Sequence, residues 1–224
     1  NSRILIKNLR IDGNKDNNTN NNQKGIYFEK VTESLIANLW IENTKGRGIR
    51  FNSSCDNNII SGNTVQSADN GGIMLSGANN IISENILKFN RSNNYDISLL
   101  SSSNGNIVSG NYIELASGSG IGAQFSPGNI FIGNIIISSV YGISFNSRCT
   151  VVGNNVQLNG ATPTGIISNQ RPSNTLISGN IIQSGEGVCL ISTNNNNISG
   201  NIIFPGAQWG LSLIHISEPT RLGM

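Results

Sequence analysis

The chain has 224 residues, a net charge of +2 at pH 7 and 12% charged residues, and asparagine, with 38 copies, is its commonest residue. So small a charge, with no basic run interleaved with aromatics, argues against a nucleic-acid partner. No apolar run is long enough to span a membrane, and the length suits a single domain.

The chain opens on Leu5-Ile6-Lys7-Asn8-Leu9-Arg10-Ile11, and a related run, Leu35-Ile36-Ala37-Asn38-Leu39-Trp40-Ile41, follows. From Asn58 the pattern becomes Asn58-Ile59-Ile60-Ser61-Gly62-Asn63-Thr64-Val65, with Gly71-Gly72-Ile73-Met74-Leu75 close behind. The Gly-Asn step returns at Gly110-Asn111, Gly133-Asn134, Gly153-Asn154, Gly179-Asn180 and Gly200-Asn201, with Glu84-Asn85 as a variant. Counted from Gly62, the separations are 22, 26, 23, 20, 26 and 21 residues. A second series threads between the first: Gly25-Ile26, Gly48-Ile49, Gly72-Ile73, Gly120-Ile121, Gly142-Ile143, Gly165-Ile166 and Gly187-Val188. In the fourth unit Asp96-Ile97 stands where the others have glycine. In the two opening units the Asn sits one residue earlier relative to the apolar positions.

Each unit holds two or three short runs with period-two alternation, separated by Gly, Asn and Ser. A unit this short cannot bury its apolar face alone and must stack on its neighbours. Asn at a fixed bend tolerates left-handed backbone, and its amide can bond to the copies above and below. The spacing therefore predicts an all-β, single-stranded parallel β-helix of about nine rungs spaced by roughly 4.8 Å. Varied unit length and the lack of a strict hexapeptide favour the right-handed form.

The Asn-x-Ile-x-Gly-Asn-x-Ile … Gly-Ile-x-Leu grammar, with Ile6-Lys7-Asn8-Leu9-Arg10-Ile11-Asp12-Gly13-Asn14 at the start, resembles right-handed β-helix repeat proteins of the pectate-lyase-like superfamily. The resemblance covers residues 3 to about 210. It implies an exported protein, extracellular or in the periplasm or cell envelope, with a polysaccharide or other glycan as partner. The superfamily includes lyases, hydrolases, epimerases, phage tailspikes and non-catalytic envelope proteins. Two functions are therefore expected: a polysaccharide-binding or polysaccharide-processing β-helix, lyase- or hydrolase-like, or a non-catalytic structural solenoid such as a phage tail or envelope repeat protein. The sequence lacks the Asn-Thr-Asp, Asp-Asp and Gly-His-Gly set of polygalacturonases, the Asp-Pro-His-Glu of alginate epimerases and the clustered aspartates of calcium-dependent pectate lyases.

Residues 1–210 are expected to form the β-helix, truncated at both ends. Leu211 to Arg221 corresponds to the translation of a transposase mosaic-end adapter used in sequencing libraries, so residues 211–224 are expected to be a scar and not native. The single histidine, His215, lies in that tail. Cys55, Cys149 and Cys189 show no metal spacing and no even framework. Cys55 and Cys149 each follow a phenylalanine, Phe51 and Phe145, by four residues, which points to free thiols packed in turns. No metal and no cofactor is expected.

On a β-helix, outward side chains line up in columns. The alignment sets Asp12 over Glu42, beside Arg10 and Trp40. Two carboxylates one rung apart lie about 5 Å from each other, near the separation of a retaining glycosidase pair. Mutual repulsion would raise one pKa, as a general acid requires, and Trp40 would stack a sugar ring. On the Gly-Ile-x-Phe strand, Tyr27, Glu29, Arg50 and Asn52 cluster on adjacent rungs, where Tyr or Arg can act as base and Arg can stabilise a uronate's developing charge. Asp69 and the long Asn14–Lys24 loop, with Lys15 and Asp16, are expected to overhang that strand. The candidate catalytic residues are thus Asp12, Glu42, Glu29 and Arg50, and the candidate binding residues are Tyr27, Trp40, Asn52, Arg10 and Lys15.

Overall fold

A computed structural model describes residues 3–20, 22–115, 117–138, 140–160, 163–168, 170, 172–191, 195–205 and 210–214, with only the backbone described for 92–94, 205 and 212–214. The described strands form three parallel sheets of nine strands each. They wind as a right-handed single-stranded solenoid. Each coil gives one strand to each sheet. The first coil runs Leu5–Lys7, Arg10–Asp12 and Ile26–Glu29, and the ninth runs Asn197–Ser199, Ile202–Pro205 and Leu211–Ile214. That last strand pairs with Glu186–Ile191, four residues past the boundary expected at 210. Trp209 and the tail from His215 onward lie outside the described residues.

The stacking is in register: Ile59, Ile81, Ile107 and Ile130 pair in sequence along the first sheet. Alternate residues point inward, so Ile60, Ile82, Val108 and Phe131 from the first sheet and Val65, Leu87, Ile113 and Ile136 from the second are fully buried. Each such side chain contributes about 2 kcal/mol by leaving water. In the third sheet Phe51 meets Phe28 edge to face, with ring centroids 5.2 Å apart.

The turn between the first and second sheets carries the Gly-Asn step. Asn111 donates both its backbone N–H and its side-chain amide to Oδ1 of Asn134, each at 3.0 Å, and its amide also reaches the carbonyl of Ile82 at 2.9 Å. The same three bonds recur from Asn63 through Asn85, Asn134 and Asn154 to Asn180, which ends on Asn201. Every buried amide in this file is satisfied. The residue before each Asn is left-handed, as at Gly62 with φ 64°. Asn8 and Asn38 take that left-handed place in the opening coils, with φ 57° and 54°, and Leu9 and Leu39 follow where the amide file would be. This is why the Asn of those units sits one residue early.

A second, shorter file occupies the turn from the third sheet back to the first, through Asn58, Asn80, Asn106 and Asn129. Cys149 pairs with Asn129 and so fills the next place in this file, whereas Cys55 sits three residues before Asn58. The two thiols are both buried and free, but they are not at equivalent places, because the turns they occupy differ in length. Burial pushes the Cys149 thiol up to about 12, so it stays protonated.

Candidate functional site

The turn between the second and third sheets is where the coils differ most. From Gly25 to Gly187 the glycines of its column each leave no room for a side chain of their own: a Cβ at Gly142 would lie 2.3 Å from Val156 Cγ1 and 2.5 Å from the carbonyl oxygen of Gly165. In the fourth coil Asp96 takes this place and is fully buried. Its Oδ1 accepts from the backbone N–H of Gly72 and its Oδ2 from the Asn90 amide at 3.3 Å. Arg47, also buried, reaches across the third coil and donates to the carbonyls of Tyr95, at 2.6 Å, and Asp96, at 3.4 Å. Burial pushes the Asp96 carboxyl up to about 6 and the Arg47 guanidinium down to about 10.

The Asn14–Lys24 loop of the first coil lies on the same turn. Lys15 reaches to the third coil, donating to the carbonyl of Ser67 and to Oδ1 of Asp69, both at 2.9 Å. Gln23 donates to the carbonyl of Gly13 at 2.9 Å. The ammonium of Lys15 therefore pins the loop to its own solenoid.

On the second sheet the register places Arg10 beside Trp40 and Asp12 beside Glu42. Asp12 accepts the backbone N–H of Asn14 at 2.9 Å, a turn bond, and the Asn43 amide at 3.3 Å. Glu42 is buried among donors. Arg10 donates to Oε1 through Nε at 2.9 Å and Nη2 at 2.6 Å, and Gln66 donates to Oε2 at 2.9 Å. The polar edge of Trp40 first, and then Arg10, hold the Glu42 carboxyl below the usual carboxylate range. The raised pKa expected from repulsion by Asp12 is thus reversed at Glu42, because the donors facing it outweigh one neighbouring carboxylate.

On the third sheet the register pairs Tyr27 with Arg50 and Glu29 with Asn52. The Tyr27 hydroxyl donates to Glu29 at 3.2 Å, Arg50 donates to Asn52 at 3.2 Å, and the Lys24 ammonium lies 5.2 Å from the Tyr27 ring centroid. Among the described residues no ion pair joins Glu29 to Arg50, and the buried Nε of Arg50 has no hydrogen-bond partner. Farther along, the outward column is closed over. The Tyr95 ring occupies the space a Cβ at Gly122 would need, 2.3 Å away, and its hydroxyl donates to Ser144 at 3.1 Å. Ser98, Ser144, Ile167 and Cys189, which follow Arg50 and Met74 in this column, are all buried.

One pattern escapes a reading rung by rung. Tyr27-Phe28-Glu29, Trp40-Ile41-Glu42 and Tyr112-Ile113-Glu114 each place an aromatic and a glutamate on one face of a strand, and both tyrosine hydroxyls bond to their glutamates. Tyr112 donates to Glu114 at 2.9 Å, and Lys88 lies 5.2 Å from its ring centroid and 3.8 Å from the Glu114 carboxylate. The aromatic-x-Glu spacing is visible in the sequence. Comparison of like positions across coils does not single out Tyr112 or Glu114, because the pattern runs along one strand.

Among solved structures, the chain is similar to the catalytic domain of a GH87 alpha-1,3-glucanase in complex with nigerose, at 14% identity and a TM-score of 0.50, over 95% of this chain and 54% of that one. A point variant of the same domain, also with nigerose, aligns at 14% identity and a TM-score of 0.46 over the same shares. The first likeness supports the fold, and the chain spans about half of that domain's length. No curated protein sequence matches significantly. Residues 2–98 match the family described as periplasmic copper-binding protein (NosD). Residues 57–203 match the family described as right handed beta helix region, and the chain belongs to that family.

Proposed function

We propose that this is an exported β-helix protein that binds polysaccharide through the second sheet, at Trp40, Arg10, Glu42 and Asp12. The observation that carries this reading is Trp40. It is 44% exposed in the outward column of the sheet, beside Arg10 and two residues from the buried Glu42, so a large apolar ring stands open on the strand. An open aromatic face beside a line of hydrogen-bonding groups is what stacking a sugar requires. Glu42, held ionised, serves as an acceptor and an anchor, not as a general acid. The NosD match agrees with export to the periplasm or envelope, and no helix of the described residues is long and apolar enough to cross a membrane. The donors present do not suit a copper site: among the described residues no three His, Cys, Asp or Glu groups come together, and Cys55 is buried against the Asn52 carbonyl.

The test is isothermal titration of the protein with neutral glucans and with polygalacturonate. Neutral glucan is expected to bind, and Trp40→Ala to lose roughly tenfold in affinity. Absence of binding to every glycan, or no loss in the variant, would refute the reading.

The Tyr27, Glu29, Arg50 and Asn52 face supports a second reading, a uronate lyase, because among the described residues no carboxylate pairs with Arg50, which lies beside a phenol. Tyr27 would take the C5 proton while passing its own to Glu29, Arg50 would stabilise the developing charge, and the C4–O bond would break, the departing sugar oxygen regaining a proton from water. Unsaturated-product absorbance on polyuronates, abolished by Tyr27→Phe, is its signature.

A further inference from the structure

Trp40 and Tyr112 stand in one outward column of the second sheet, with Thr64 and Ile86 between them, each paired to the next in register. The adjoining column reads Glu42, Gln66, Lys88 and Glu114. The two aromatics are three coils apart, roughly 14 Å at the spacing of neighbouring strands. Each has a glutamate two residues on along its strand, which the Tyr112 hydroxyl bonds at 2.9 Å, and each has a cation on the neighbouring coil: Arg10 on Glu42, and Lys88 by the Tyr112 ring.

Resting on the reading that Trp40 binds glycan, we propose that this column is a track for an extended neutral glycan chain lying along the solenoid axis, with one sugar on Trp40 and another on Tyr112. Three features define the ligand. The two rings stand in one outward column, so they take the flat faces of pyranoses. Thr64 and the half-exposed Ile86 between them give an apolar floor. The border is charge-balanced, because Arg10 neutralises Glu42 and Lys88 neutralises Glu114, so it offers hydroxyls both donors and acceptors without a net attraction for uronates. Lys88 sits by the Tyr112 ring through an exposed ion pair, which is weak enough to swing aside. Chains of several sugars bridge the two rings, whereas a disaccharide occupies one.

The experiment titrates wild type, Trp40→Ala, Tyr112→Ala and Tyr112→Phe with nigerose, with longer linear α-1,3-, β-1,3- and β-1,4-glucan oligosaccharides, and with polygalacturonate oligosaccharides. Wild type is expected to gain affinity with chain length on a neutral series. Both alanine variants are expected to lose roughly tenfold on the long chains, and Tyr112→Phe, which keeps the ring, to lose much less. If Trp40→Ala weakens long chains and Tyr112→Ala does not, the track is refuted while binding at Trp40 stands. If Tyr112→Phe loses as much as Tyr112→Ala, stacking on that ring is refuted. Preference for polygalacturonate would refute the neutral ligand, and indifference to all three substitutions would refute both proposals.

Discussion

Two turns of the same solenoid obey opposite rules. Between the first and second sheets every coil turns in two residues, and from Asn63 to Asn201 each turn contributes one amide to a continuous hydrogen-bonded file. Between the second and third sheets the connection runs from the long Asn14–Lys24 loop to the single Gly185, and it carries the buried Arg47, with Asp96 buried in the strand that follows it in the fourth coil. The first turn is uniform because its bonds run from coil to coil, so a change in one turn leaves a neighbour unsatisfied. The second is constrained at one point, the glycine, and is free to vary around it. Repetition holds the stack, and variation concentrates the charged side chains in the first five coils.

The largest effect is expected where the variable turn is not free. Gly142→Ala puts a methyl group against the Gly165 backbone and should destabilise the protein by about 4 kcal/mol in urea unfolding. Asn134→Ala removes two bonds that it donates and orphans the Asn111 amide and the Val108 carbonyl, at about 3 kcal/mol in the same assay.

Asp96 sharpens the contrast through pH. Its folded pKa of about 6 lies above its ordinary 3.8, so the folded state holds the proton more tightly. Stability from this group is complete below about pH 4 and declines as pH rises through 6, by about 3 kcal/mol in all. Asp96→Asn should flatten that decline in urea titrations run across this range. Glu42, with its lowered pKa, acts in the opposite sense: its contribution is present at neutral pH and disappears on acidification. Glu42→Gln should make the protein less sensitive to acid.

The smallest effect is expected at the regular turn. Nothing lies within 4 Å of a Cβ at Gly153, so Gly153→Ala costs only the left-handed strain, about 1 kcal/mol. Gly153→Asn should cost less, as Asn8 and Asn38 already hold that conformation. A large loss in Gly153→Asn would show that more than backbone conformation selects glycine there.

The coil count, the register and the amide file were legible in the sequence because each depends on like residues recurring at like positions. Periodicity says where a residue falls on its coil. It does not say what reaches it from another. Tyr95 covers Ser144 from 49 positions away and Arg47 reaches Asp96 from the same separation, so the closed column and the buried acid were invisible to alignment. Asp96 did leave a trace, as the one break in the glycine column. At the candidate site, Asp12 beside Glu42 and Tyr27 beside Arg50 followed from register alone. The reversed pKa of Glu42 did not, because it depends on where three side-chain donors point.

The amides of the asparagine file all face one way: each Oδ1 receives from the coil before it, and each Nδ2 gives to the coil after. Dipoles aligned head to tail polarise one another, so among the described residues a member in the middle is gripped from both sides and Asn201 from a single side. Asn201 is partly open to water where Asn134 is sealed. The spine should therefore fray inward from its tips, with proton exchange at the side-chain amides slowest midway and quickest at Asn201.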